Sequence, residues 1–198
     1  PRPAMTTPNR RPASSAAGSR WHSSTPELPP VGAASPPRLA SPPRSASRKP
    51  APLYAPAPGH LSSHDAVQAY LAGGVPAGKL ALGMPLYGRV WTGVPAAGEG
   101  FDQPFADAPL WGQDMPALLA DYGSADVHWH DVAQVPWRYD ADRQAFVSHE
   151  DAASLRHKVA YARQHDLGGV MVFALGLDGP GQPLLDAVWR ALGYPLNS

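Results

Sequence analysis

Lys79-Leu-Ala-Leu-Gly-Met-Pro-Leu-Tyr87 is an apolar run of strand length without polar alternation. Gly168-Gly-Val-Met-Val-Phe-Ala-Leu175 is a second run of the same kind. Strands buried on both faces read this way, and parallel sheets supply that burial. Working outward, the first run follows a helix pattern: Ser62 and Ser63 cap it, Asp65 sits near its positive end, and Ala66, Val67, Tyr70 and Leu71 form one face. Gly73-Gly74 stops it. The second run lies between two more helices, over Asp151–His165 and Leu184–Leu192. Helix, strand, excursion, helix, strand, helix is an α/β order with parallel strands. The excursion, residues 91–149, has 59 residues rich in Gly, Pro and Trp. That is too long for an ordinary α/β loop and predicts a small subdomain or a functional excursion. Within it, Val135–Tyr139 and Ala145–Ser148 predict two strands around an Asp140-Ala-Asp turn.

The chain of 198 residues is long enough for one ordinary domain, and 43% of it is hydrophobic. Its net charge of zero gives no general attraction for nucleic acid, and no apolar run is long enough for a membrane span. Without cysteine it forms no disulfides and no thiolate metal sites. Pro1–Arg20 has no continuous apolar stretch of the kind found in a secretory signal.

The zero charge hides an asymmetry. Residues 1–50 carry eight basic side chains and one acid, Glu27, and 15 of the 25 prolines lie at or before Pro58. Such a Pro/Arg/Ser-rich segment buries too little apolar surface to offset its chain entropy, so residues 1–50 are expected to be a disordered tail. Its scattered charges make no concentrated patch for nucleic acid or an anionic surface. An out-of-frame translation is a further reading of the same composition.

Three stretches together resemble the chitinases of glycoside hydrolase family 18. Leu80-Ala-Leu-Gly-Met-Pro-Leu-Tyr-Gly-Arg-Val-Trp91 is similar to the family's seventh barrel strand, LGxPFYGRxW. Val135-Pro-Trp-Arg-Tyr139 and Ala145-Phe-Val-Ser-His149 resemble the PYxY and FISYDD stretches of its insertion domain. Leu167-Gly-Gly-Val-Met-Val-Phe-Ala-Leu175 is similar to its eighth strand, LGGVMFWEL. The resemblance covers about residues 51–193. It implies the C-terminal part of a (β/α)8 TIM-type barrel, with an α+β insertion at about residues 92–149. It also implies hydrolysis of β-1,4-linked N-acetylglucosamine polymers by substrate-assisted catalysis, chitin or its oligosaccharides as partner, and no cofactor. Family members are usually secreted.

Barrel sites lie at the C-terminal ends of strands. By resemblance, Tyr87 and Arg89 line the sugar groove, and Phe173 takes the place of a Trp that floors the site of cleavage. A Phe keeps a stacking face but loses area and the indole N–H. Trp91, Trp111, Trp129 and Trp137 read as packing within the excursion. The family's acidic motif, D-x-x-D-x-D-x-E, is absent, and so is M-x-Y-D before Ala51: the glutamates are Glu27, Glu99 and Glu150, none in such a context. No catalytic residue is therefore assigned, and the alternative is a non-catalytic chitin- or carbohydrate-binding remnant or a truncated gene product. His128 with His130, or His60 with His64, could offer two metal ligands, but the sequence places no third, so no metal is expected. No G-x-S-x-G elbow is present.

Overall fold

The computed structural model describes residues 51–98, 101–108 and 112–195, all within one compact unit. The expectations for residues 1–50, Glu99 and Trp111 lie outside the described residues.

Helix α1 spans Ser63–Ala72, as its capping signals predict. The Ser62 side chain accepts a hydrogen bond from the Asp65 N–H at 3.1 Å, and Gly73 closes the helix. A short 3-10 turn, Ala77–Lys79, leads into strand β1, Ala81–Pro85. Strand β2, Tyr87–Thr92, follows at once. The excursion continues with β3 (Gln113–Asp114), helix α2 (Met115–Tyr122), β4 (Asp126–His130), β5 (Val135–Asp140) and β6 (Ala145–Ser148). Helix α3 spans Ala152–Gln164, strand β7 Gly169–Phe173, and helix α4 Pro183–Ala191. Asp151 and Ser154 cap α3 reciprocally, side chain to backbone in both directions. Buried Asp178 caps α4, accepting from the N–H groups of Leu184 and Leu185 at 3.1 and 2.8 Å.

Two sheets result. β1 and β7 pair in parallel, with Ala81 opposite Gly169 and Pro85 opposite Phe173. The second sheet is antiparallel, with order β3-β2-β6-β5-β4. The expected single strand through Tyr87 is thus divided. The parallel register runs to Pro85, opposite Phe173. One last bond runs from Leu86 N–H to the Phe173 carbonyl at 2.7 Å. The next residue, Tyr87, already pairs with Asp114 in the other sheet. Tyr87 and Arg89 therefore stand on the antiparallel sheet rather than at the end of the parallel strand.

The core has three parts. Met84, Leu86, Val90, Val147, Leu155, Val159 and Val188 join both sheets to α3 and α4. Leu53, Val67, Leu82, Tyr161 and Ala162 join α1 to β1 and α3. On the other face of the antiparallel sheet, Trp91, Val94, Trp137 and Phe146 form a separate aromatic cluster. Gly88 permits close packing in the first part: a Cβ there would fall 2.1 Å from Leu118 Cδ1. No helix among the described residues is long and apolar enough to cross a membrane.

Leu155 is fully buried where both sheets meet α3. Leu155→Ala should cost about 2–5 kcal/mol, through lost transfer energy and the cavity left behind. Native-state amide exchange across β1, β2 and β7 measures it; unchanged protection in all three would contradict this account of the core.

Candidate functional site

The chain crosses from one sheet to the other at Leu86, and this crossing brings two expected residues together. Tyr87 opens β2, Phe173 ends β7, and their rings meet edge-to-face with centroids 6.4 Å apart and an interplanar angle of 85°. The Phe173–Ala174 peptide is cis. Phe173 is 61% exposed, whereas Tyr87 is half-buried. Under Tyr87 lies Gly112, where a Cβ would fall 2.0 Å from the Tyr87 ring. The ring thus rests on bare backbone, and no larger residue fits at 112 without displacing it. Strand alternation puts Arg89 on the same face as Tyr87, opposite Ser148 of β6. The three expected residues therefore form an aromatic pair with a guanidinium two residues along the strand.

The tryptophans divide as their burial dictates. Trp91 and Trp137 are buried and flank Phe146 at 5.5 and 5.6 Å, so both pack inside the excursion. Trp129 lies on edge strand β4, partly exposed, near the His157 ring. The paired histidines are engaged separately. His128 stacks on Trp137 at 4.1 Å, and His130 accepts from the Ala133 N–H at 3.1 Å. His60 meets Asp102 at 2.7 Å, and His64 meets the Tyr161 hydroxyl at 3.0 Å. Among the described residues, no three metal-ligating side chains converge.

Glu150 is the one glutamate among the described residues, and it is 1% exposed. It pairs with Lys158, which is fully buried on α3. Burial pushes the Glu150 carboxyl up from its ordinary value, against the attraction of Lys158. Burial likewise pushes the Lys158 ammonium down, against the attraction of Glu150. A carboxyl held protonated towards neutral pH is what a general acid requires. Geometry decides otherwise, because an acid must first come within hydrogen-bond reach of its substrate. A side chain sealed against Lys158 does not. The pair ties the link between β6 and α3 to α3 itself and was legible in part: Lys158 falls on the apolar stripe of Leu155, Val159 and Ala162. Gly112 had no comparable signal.

His149 is buried beside this pair. Arg138 Nε donates to its Nε2 at 3.3 Å, and its Nδ1–H donates to the Glu150 carbonyl at 3.0 Å. These contacts fix a neutral ring protonated on Nδ1. Burial, the largest cause, and nearby Arg138 pull its pKa below the ordinary imidazole value of about 6.5.

Two expectations follow from these buried groups. Glu150→Gln should cost about 3–5 kcal/mol, because it leaves the Lys158 charge buried without its counter-charge. The double change Glu150→Leu with Lys158→Met should cost much less; amide exchange in α3 reads both, and equal losses would refute the pairing. His149, with its folded pKa depressed, contributes stability that is fully present above pH 6.5 and is lost as pH falls through the folded value. Its ring Cε1 proton, followed by NMR, should titrate below pH 6.5, and a midpoint at or above that value would contradict the buried neutral ring.

Comparison with known proteins places this geometry. The family model for glycosyl hydrolases family 18 matches residues 39–178. Chitinase B of Serratia marcescens is 31% identical over 161 residues, covering 68% of this chain and 32% of that protein. Chitotriosidase-1 of Mus musculus is 37% identical over 151 residues, covering 66% of this chain and 30% of that protein. A family 18 N-acetylglucosaminidase from Paenibacillus barengoltzii superposes with a TM-score of 0.67 at 28% identity, over 74% of this chain and 44% of that one. The chain spans about a third of the length of these two curated relatives. With both sheets accounted for by a family match over more than half its residues, the chain belongs to glycoside hydrolase family 18, as a region of its chitinase-type α/β domain.

Proposed function

We propose that residues 51–193 form the C-terminal portion of a (β/α)8 catalytic domain, with β1 and β7 as its seventh and eighth strands and β2–β6 as its insertion. In this reading the chain supplies one wall of a chitin-binding groove. Tyr87 and Phe173 stack against the apolar C–H faces of N-acetylglucosamine units, and Arg89 selects their polar groups. The observation that carries the proposal is the Tyr87–Phe173 pair, two aromatic faces set at right angles where the sheets join, one of them mostly exposed.

The whole family reaction is hydrolysis of β-1,4-linked N-acetylglucosamine, with the substrate's own N-acetyl group as nucleophile. That chemistry needs a carboxylic acid to protonate a poor leaving oxygen. Glu150 is sealed against Lys158, and Tyr87 and Arg89 are poor proton donors near neutral pH. These residues therefore bind sugar and do not cleave it by themselves.

Calorimetry with chitooligosaccharides and a fluorogenic chitobioside assay test the two halves of the reading. Tyr87→Ala and Phe173→Ala should each weaken binding by about tenfold, roughly 1.4 kcal/mol. Gly112→Ala should also weaken it, by moving the Tyr87 ring without touching sugar. Turnover by the unaltered chain should equal the blank. Unchanged affinity in all three variants would remove the groove assignment, and turnover above the blank would show that an acid here has been overlooked.

A further inference from the structure

The antiparallel sheet ends differently on its two sides. Its β3 edge has two residues and runs straight into α2, with Pro116 in the first turn. Its β4 edge, Asp126-Val-His-Trp-His130, is a full strand with no Pro and no Lys, residues that commonly blunt such edges. Among the described residues no strand pairs with β4 on its outer side. Pairing with β5 shows which backbone groups point outward. Trp129 stands opposite Pro136, which has no N–H, so the two form a non-hydrogen-bonded pair. Antiparallel alternation makes Val127 and Arg138 another such pair, and turns the backbone groups of Asp126, His128 and His130 towards β5. The N–H and C=O groups of Val127 and Trp129 therefore face the open edge. Their side chains are accessible too, at 60% and 36% exposure. Asp126 is exposed, and its carboxylate has no partner among the described residues.

We propose that β4 pairs antiparallel with β4 of a second copy of this chain, about a two-fold axis at His128. The chemistry of the strand selects both this occupant and this register. Each copy must present outward-pointing groups to the other, so residues of like parity pair. With His128 opposite its own copy, Val127 meets the partner's Trp129 on both sides of the axis, and each such pair exchanges both backbone bonds. A β-branched side chain opposite an aromatic one is a favourable cross-strand pair. The same register sets Asp126 against the partner's His130 and diagonal to its His128, so an acid faces imidazoles at both ends. His130 accepts the Ala133 N–H on Nδ1, which places its own proton on Nε2 as a donor. Moving the axis to Val127 or Trp129 sets like against like, Val on Val or Trp on Trp, and takes Asp126 away from His130. Two five-stranded sheets then become one continuous sheet. A contact of five residues a side is small, so the dimer is weak and its population follows concentration. The inference does not depend on the groove reading, because β6 and β5 lie between β4 and the strand that carries Tyr87.

Sedimentation velocity of the full chain should show a monomer–dimer equilibrium. As concentration rises through it, the Val127 and Trp129 amides should exchange about fivefold more slowly, while those of His128 and His130, already bonded to β5, change little. Val127→Pro removes an outward N–H that β5 does not use, so the sheet tolerates it and the dimer is lost. The chain has no cysteine, so His128→Cys carries a single thiol. Opposite its own copy that thiol sits on Cα atoms about 4.5 Å apart, within reach of a disulfide. Mild oxidation should therefore cross-link the His128→Cys chain. The Asp126→Cys chain, whose two copies of that position lie roughly 14 Å apart, should run as a monomer on a denaturing gel. A chain that stays monomeric throughout the concentration range overturns the proposal. So does self-association that Val127→Pro leaves intact, or equal cross-linking of the two cysteine variants. Oligosaccharide affinity should be the same for Val127→Pro as for the unaltered chain, so failure of the groove reading and failure of this one are told apart.

Discussion

One backbone hydrogen bond organises this molecule: Leu86 N–H to the Phe173 carbonyl, at 2.7 Å. It comes directly after Pro85, the last residue of the parallel ladder. Beyond it Tyr87 pairs with Asp114, and the chain runs on into the antiparallel sheet. The same bond fixes the end of β7 against the start of β2. Phe173 and Tyr87 therefore meet by main-chain geometry, and their side chains need little further support beyond the bare backbone at Gly112.

The long, strongly patterned elements were readable from sequence because local signals agreed with tertiary packing. Ser62 and Gly73 bound α1, Asp151 opens α3, and the two apolar runs became the parallel pair. What escaped was the position of the break. The run Lys79–Tyr87 reads as one apolar strand, so hydrophobicity alone could not separate a strand from the start of its neighbour. Helix α2 and strand β4 were also missed. Asp114 as N-cap and Pro116 in the first turn did announce α2, but the helix spans only Met115–Tyr122, too short for a convincing apolar period. On β4, Val127 and Trp129 do alternate with polar residues, but the run is only five residues long and these apolar side chains are the exposed ones, so the alternation marks no buried face.

The site was partly legible for a different reason. Tyr87, Arg89 and Phe173 are named by resemblance, and their convergence depends on a crossing that resemblance does not describe. Gly112 is silent in sequence because a glycine in a Gly/Pro-rich stretch has many bland explanations, and only the ring above it distinguishes one. Glu150 illustrates the opposite hazard. Its raised pKa imitates a catalytic acid, yet its burial against Lys158 makes it a structural tie between α3 and the link that precedes it. A perturbed carboxyl is informative only once its access to a ligand is known.

The antiparallel sheet has a consequence for how such chains vary. The excursion leaves the parallel sheet at Leu86 and returns at His149, and its first and last long strands, β2 and β6, are direct neighbours, with Arg89 opposite Ser148. Its entry and exit are therefore about 5 Å apart. Outboard of β6 lies the β4–β5 hairpin, which is also tied to the frame: the Leu53 N–H donates to the Ala133 carbonyl at 2.9 Å, and Trp129 lies near the His157 ring of α3. Changes at the tip of the hairpin therefore leave the pairing of β2 with β6 and the Tyr87–Phe173 corner in place, whereas changes at Trp137 reach the aromatic cluster through Phe146.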